Sequence, residues 1–181
     1  FIFNSVDTIQ NLIYEDKNDE AVAYLSKFSQ LTLQILENSS LQYISLREEF
    51  NMTVNYLAIQ QLLYNNFDYE IVAEDGIDTE TTFIPPMLTQ PFIENAVKHG
   101  IAGKKTDGSI QIRFYKKRNK LYFEVTDNGK GYKTNEFNIA EGFGLNQIRA
   151  RIKNLKGKIE VISKIDIGTA IKIEVPIMNQ S

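Results

Sequence analysis

The sequence predicts an α+β protein, a helical first third leading into a sheet-based domain, and three observations carry that prediction. Apolar residues recur at helical spacing up to about Tyr64, they alternate from Phe67 onward, and two further helical stretches interrupt the alternating runs. In the opening segment Phe1, Ser5, Val6, Ile9, Leu12 and Ile13 set an apolar-rich period near 3.6. After the polar break EDKNDE, a second helix carries Val22, Leu25, Phe28, Leu31 and Leu36, with Asn18 or Asp19 as its expected N-cap. A third helix is expected to start at SLRE, where Ser45 and Glu48 stand at capping-box spacing, and to end near Tyr64 before NNFD. FDYEIVAE then reads as a strand. The proline pair Pro85–Pro86 precedes a helix in PFIENAVKHG. SIQIRFYKK and KLYFEVTD read as strands joined at Arg118–Asn119. A glycine-rich stretch leads into the helix LNQIRARIKNLKG, and KIEVISK and TAIKIEVPI close the chain around a turn at IDIG. The expected organisation is a helical segment over 1–65 and an α+β domain over 66–181.

Bulk properties narrow the function classes. The 181 residues are 43% hydrophobic and 24% charged with a net charge of −3, which gives no general attraction to nucleic acid or to an anionic membrane. With no Cys and one His, neither a disulfide framework nor a thiolate or multi-histidine metal site can be built. No apolar run approaches the roughly 20 residues a membrane span requires. The chain opens on Phe1 rather than Met, and is expected to be a piece of a longer protein.

Chemistry-bearing residues gather in three places. On a helical wheel Leu88, Phe92, Ile93, Ala96 and Val97 form one apolar stripe; Gln90, Glu94 and Lys98 follow one another at i,i+4, and Pro91, Asn95 and His99 form the adjacent row. By itself this is also the pattern of an ordinary amphipathic helix with a solvated face. DNGKG begins at Asp127, where a strand ends, and Gly129 and Gly131 permit close backbone approach to a ligand. GFGL puts Gly142 and Gly144 at the start of a helix, whose free N–H groups favour phosphate. Taken singly, DNGKG is a turn signal, and GFGL has the spacing of neither a Walker A loop nor a dinucleotide fingerprint.

In order along the chain, a Glu-Asn helix, Asp-x-Gly-x-Gly, Gly-x-Gly before a helix and a late Gly168-Thr169 resemble the N, G1, G2 and G3 boxes of the GHKL superfamily. The string IPPMLTQPFIENAVKHG and the opening FIFNSVDTIQNL are similar to the LytS/YehU-type sensor histidine kinases, and the resemblance covers essentially the whole chain. It implies a two-layer α/β sandwich of the Bergerat type, preceded by an antiparallel helical dimerisation segment. It also implies a kinase that binds ATP with Mg2+ and passes the γ-phosphate to a histidine, for relay to an aspartate on a response regulator receiver domain. In the family that histidine stands directly before FxFN, so it is expected just upstream of Phe1, and this chain alone is expected not to phosphorylate itself.

Under the same resemblance Asp127 reads the exocyclic N6–H of adenine, since a carboxylate is an acceptor. Thr169 holds the base or a water beside it, Asn95 offers an amide oxygen to Mg2+, and Lys98 faces the triphosphate. Gly129, Gly131, Gly142 and Gly144 keep backbone near the ligand. Residues 132–141 form a lid, and Phe143 and Leu145 pack beneath it. His99 lies along the pocket, packed near the phosphates, hydrogen-bonded to the lid, or in a structural role only. The acid that many relatives carry four residues before the metal-binding Asn is here Pro91. Glu94 is the nearest acid, and three roles stand open for it: general base, orienting group for Mg2+, or partner of Lys98. A homodimer through the first two helices is expected, because their apolar residues, Phe1, Phe3 and Phe28 among them, exceed one stripe. The expected place is the cytoplasm, with membrane anchoring by segments outside this chain. Two other classes compete: a noncatalytic ATP-responsive interaction module and a GHKL ATPase.

Overall fold

A computed structural model describes residues 2–64, 66–102, 107–132 and 143–177, the side chains of 2–4 and 143–147 excepted. Helix α1 (Ile2–Tyr14) and helix α2 (Asn18–Ser39) form a hairpin in which Tyr24 donates a buried hydrogen bond to Ser5 at 3.2 Å. The expected Asn18 or Asp19 cap is displaced. Lys17 occupies the cap position without a side-chain bond, because its carbonyl already accepts from Ala21 N at 3.0 Å. Asp19 and Glu20 instead sit in the first turn, where negative charge complements the helix N-terminus. Only Ala21, Tyr24, Leu31 and Asn38 of α2 are buried, a narrow stripe for a helix of 22 residues.

Strand β1 (Ile44–Ser45) leads directly into helix α3 (Leu46–Leu63). Here the capping box is complete: Glu48 N donates to Ser45 Oγ, and Ser45 N donates to Glu48 Oε2 at 2.8 Å. Buried positions of α3 fall on more than one face, because α2 covers one side and the sheet the other. Asn38 Nδ2 donates to Met52 Sδ at 3.4 Å on the α2 side, and the Phe50 and Phe114 rings lie 6.2 Å apart on the sheet side. One hydrophobic core therefore runs from Tyr24 and Leu31 through Tyr56 to Phe114 and Ile173.

The main sheet comprises β2 (Phe67–Ala73), β4 (Gly108–Lys117), β5 (Lys120–Asp127), β6 (Lys158–Lys164) and β7 (Gly168–Pro176), in the order β2-β4-β5-β7-β6. β2 runs parallel to β4 and the other pairs are antiparallel. A short strand unforeseen from sequence, β3 (Phe83–Ile84), pairs with β1 and ties the start of α3 to the loop before the next helix. Register stacks the inward residues in rows: Phe114, Phe123, Ile173 and Ile159; then Ile112, Val125, Ile171 and Val161; then Ile110, Asp127, Thr169 and Ser163. The last row turns polar at one end of an otherwise apolar face.

Helix α4 (Gln90–Asn95) has Pro91 near its start, where a missing N–H costs nothing. The continuous α-helix expected through His99 does not form. Residues Ala96–Ile101 wind as a π-helix, closed by Ala102 N donating to Val97 O at 2.8 Å. The wider turn buries Gly100 and Ile101 against the sheet and leaves His99 exposed. Helix α5 (Phe143–Asn154) packs beside α4 and on β6.

Candidate functional site

Three segments meet at the polar end of the sheet, and backbone rather than side chains joins them. Lys130 N, in DNGKG, donates to Gly100 O at 3.3 Å, and Asp166 N, in the β6–β7 turn, donates to Lys130 O at 2.7 Å. The end of the π-helix, the DNGKG turn and the turn before Gly168 thus form one hydrogen-bonded seam. Its closeness requires glycine. A Cβ on Gly100 would lie 2.7 Å from Asp127 Oδ1, and one on Gly129 would overlap the Gly100 backbone.

Asp127 closes β5 and is 7% exposed. Its Oδ1 accepts from Gly129 N at 2.9 Å, so the turn orients its own acid. Thr169 stands directly opposite on β7 and Ser163 opposite Thr169 on β6. The Ser163 hydroxyl lies 2.9 Å from the Thr169 hydroxyl and accepts from Tyr132 N at 3.0 Å. Asn128 clamps the turn from the other side, accepting from Ser109 N at 2.8 Å and donating to Asp107 O at 2.8 Å.

Along the helix leading to this seam, Asn95 ends α4 and is half-buried. Glu94 accepts from Gln90 Nε2 at 3.4 Å and pairs with Lys98 Nζ at 3.2 Å, the spacing read from sequence. His99 is exposed beside them. Gly131 takes a left-handed φ of 56° one residue past Lys130. The structure brings Asp127, Gly129, Gly131 and Thr169 together and connects them to the helix bearing Asn95, Lys98 and His99. Gly142 lies outside the described residues, as do 133–141 and the side chains of Phe143 and Leu145. Gly144 is the second residue of α5.

Sequence reasoning missed Gly100, Asn128 and Ser163. It also missed Glu49, a buried carboxylate on α3 that accepts from Met87 N at 2.9 Å, Thr89 N at 2.9 Å and Thr89 Oγ1 at 2.7 Å. Burial pushes the Glu49 carboxyl up, opposed by the Thr89 and Met87 donors and by the charge of Arg151. Ser163 had one available signal: it is a polar residue at an inward position of an alternating strand.

A mixed sheet with helices on one face and a glycine-bound seam at one end defines the ATPase fold of the histidine kinases. Among solved structures, the histidine kinase domain of the Erythrobacter litoralis blue-light activated kinase superposes with a TM-score of 0.63 at 16% identity, covering 94% of this chain and 83% of that one. The catalytic domain of the histidine kinase ThkA gives 0.58 at 17% identity, over 76% of this chain and 97% of that one. Residues 1–67 match the family described as histidine kinase, and residues 87–179 match the histidine kinase-, DNA gyrase B-, and HSP90-like ATPase family. The sensor protein LytS of Bacillus anthracis is 27% identical over 97% of this chain and 32% of its own length. The sensor histidine kinase/phosphatase LytS of Staphylococcus aureus is 30% identical over 87% of this chain and 29% of its own. The chain belongs to the GHKL histidine kinase family, and it spans about a third of the length of these LytS relatives. Among the described residues no helix is long and apolar enough to cross a membrane.

Proposed function

We propose that this chain is the ATP-binding catalytic region of a sensor histidine kinase. It binds ATP with Mg2+ and delivers the γ-phosphate to a histidine upstream of Phe1, from which a response regulator aspartate receives it. The observation that carries the reading is the junction at the polar end of the sheet, where Asp127, Thr169 and the end of the Asn95 helix share one seam. The residues fit the nucleotide. The glycines let the three segments close on one another at the sheet end, and the Asp127 carboxylate held there, 7% exposed and fixed by Gly129 N, offers an acceptor to a base.

Asp127 accepts the adenine N6–H, and Thr169, whose hydroxyl lies 2.9 Å from that of Ser163, holds the base or a water beside it. Asn95 supplies an amide oxygen to Mg2+ and Lys98 a point charge to the phosphates, drawn from its pairing with Glu94. Bound Mg2+ supplies neutralising charge between the phosphates. Gly129, Gly131, Gly142 and Gly144 keep the backbone near the ligand, and Phe143, Leu145 and His99 border it. In-line phosphoryl transfer depends chiefly on such positioning and charge. Glu94, the acid directly before Asn95, is the candidate general base, with orientation of the Mg2+ site and pairing with Lys98 as its other roles.

Calorimetric titration with ATP, ADP and GTP, with and without Mg2+, tests the binding. ATP is expected to bind and GTP to fail, with ATP lost in Asp127→Ala; equal GTP binding contradicts the adenine assignment. A longer protein carrying the upstream histidine is expected to label with γ-phosphate, and binding without labelling would favour the noncatalytic reading that Pro91, in place of an acid, supports.

The division at residue 65 belongs to this reading: residues 1–65 serve dimerisation and phosphotransfer, and 66–181 bind nucleotide. The apolar excess of the hairpin lies on Val22, Leu25, Leu33 and Leu36, which are exposed, whereas Phe28 packs against the core. A second copy covering this face makes a homodimer. In this reading the longer protein works at the cytoplasmic face of a membrane through segments outside this chain.

A further inference from the structure

Pro86 to Thr89 form the bend that feeds α4, and the chain spends much of its buried polar chemistry on holding it. Met87 adopts φ 57°, a left-handed conformation unfavourable for a residue with its bulk. Met87 N cannot enter a helix from there, and Glu49 Oε2 takes it at 2.9 Å. Thr89 then performs two tasks. Its carbonyl accepts the first bonds of α4, from Phe92 N at 3.1 Å and Ile93 N at 3.3 Å. Its N–H and hydroxyl do not cap the helix but turn back to Glu49 Oε1, at 2.9 and 2.7 Å. On the far side of the bend Arg151, in the last turn of α5, donates to Pro86 O at 2.9 Å.

One carboxylate, 1% exposed, therefore grips the residue whose carbonyl starts α4. Charge-assisted bonds of this kind are short and roughly twice as strong as neutral ones, and a buried partner left unmatched is costly. The axial place and rotation of α4 follow from Thr89, and Asn95 lies at the other end of the same short helix. We infer that Glu49 is a positioning residue of the nucleotide site, one that sets the place of Asn95 and Lys98 through Thr89 without touching the ligand. Asp127 is carried by β5 and does not depend on this grip to the same degree. This inference rests on the proposed nucleotide reading, with Asn95 as the metal-side residue.

That asymmetry gives the test. In Glu49→Gln the amide keeps the shape but sets an NH2 group against an N–H or hydroxyl donor. The 181-residue chain and its variants are titrated with ADP in chelator and with ATP plus Mg2+, well below their melting temperatures. Glu49→Gln is expected to cut the Mg2+-dependent gain in affinity about tenfold, the scale of one buried donor left unmatched, and to leave Mg2+-free ADP binding within about twofold. Thr89→Val, which removes one donor only, is expected to lose about threefold in the same direction, and Thr89→Ser to restore it. Amide exchange over 90–101 is expected to rise in Glu49→Gln with no nucleotide present. Leu121→Ala, at the opposite end of β5, is the control for a general loss of stability. An unchanged Mg2+-dependent gain, an equal fall in both affinities, the same pattern in Leu121→Ala, or unchanged exchange over 90–101 would each overturn the positioning role. A wild-type chain that binds no nucleotide would instead overturn the reading beneath it, and the exchange measurement would still decide whether Glu49 holds α4.

Discussion

A methyl group at Gly100 would stand 2.7 Å from Asp127 Oδ1 and 2.8 Å from its Cγ, and both atoms belong to a side chain that can rotate away. At Gly129 the added methyl would overlap the backbone of Gly100, which has nowhere to go. The two substitutions should therefore separate. Under the proposed nucleotide reading, Gly100→Ala is expected to keep its fold while losing ATP affinity by tenfold or more, because the displaced carboxylate would no longer meet the adenine. Gly129→Ala is expected to unfold at distinctly lower temperature, and equal melting temperatures would contradict this account. Residues of the site differ in how legible they were. Asp127 and Thr169 stand at strand ends beside glycines, a local signal. Glu49 carried no such signal, since its hydrogen-bond partners lie 38 and 40 residues away and no spacing connects them. Gly100 read as the end of a helix, because the strand end it presses on is remote in sequence.

Elements were more legible where the signal was local chemistry than where it was a period. The Ser45 and Glu48 pair marked the start of α3 correctly, and the structure adds that Leu46 N donates to Thr82 O at 2.7 Å and Arg47 N to Thr79 O at 2.9 Å. Ser45→Ala removes an acceptor from Glu48 N and is expected to destabilise by about 1 kcal/mol, a fall of roughly 2–4 °C for a chain of this size. Because Glu48 also bonds the Ser45 backbone N–H, Glu48→Ala should cost a similar amount and the double variant less than the sum. Thermal melts that add strictly would refute the reciprocal cap. The π-helix was invisible because a helical wheel presumes 3.6 residues per turn, and nothing in AVKHGI breaks that period. What widens the turn is tertiary: Val97 and Ile101 pack into the core while Gly100 meets the DNGKG turn. The short pairing of β1 with β3 is likewise a contact between segments too brief to show alternation.

Across the whole molecule the sheet has helices on one face, and the other face must hold itself together in water. It does so with a ladder of rings and charges. Tyr115 and Tyr122 stack at 4.9 Å, and Lys172 Nζ lies 5.6 and 5.1 Å from their centroids. Glu124 accepts from the Tyr115 hydroxyl at 2.6 Å and pairs with Lys172 at 3.2 Å, while Glu174 pairs with Lys120 and accepts from Tyr122 at 3.0 Å. Burial pushes Glu124 up, but the Tyr115 hydroxyl, Lys172 and Arg113 more than offset it and hold it below the usual carboxylate range. Lys120 holds Glu174 low as well, against a smaller opposing effect of burial. A carboxyl whose pKa is lower folded than unfolded contributes stability at pH values above its unfolded pKa, about 4.3 for Glu, and that contribution disappears as pH falls through the lower, folded value. The urea midpoint of the chain should accordingly fall as pH drops below about 4. Lys172→Met removes the cation shared by both rings and Glu124, so it should be less stable than the wild type at pH 7 and lose less on acidification. The two midpoints then approach each other in acid. A gap that stays constant from pH 7 to pH 3 would show that Lys172 acts through its packing on the rings rather than through the carboxylate, and the electrostatic account of this face would fail.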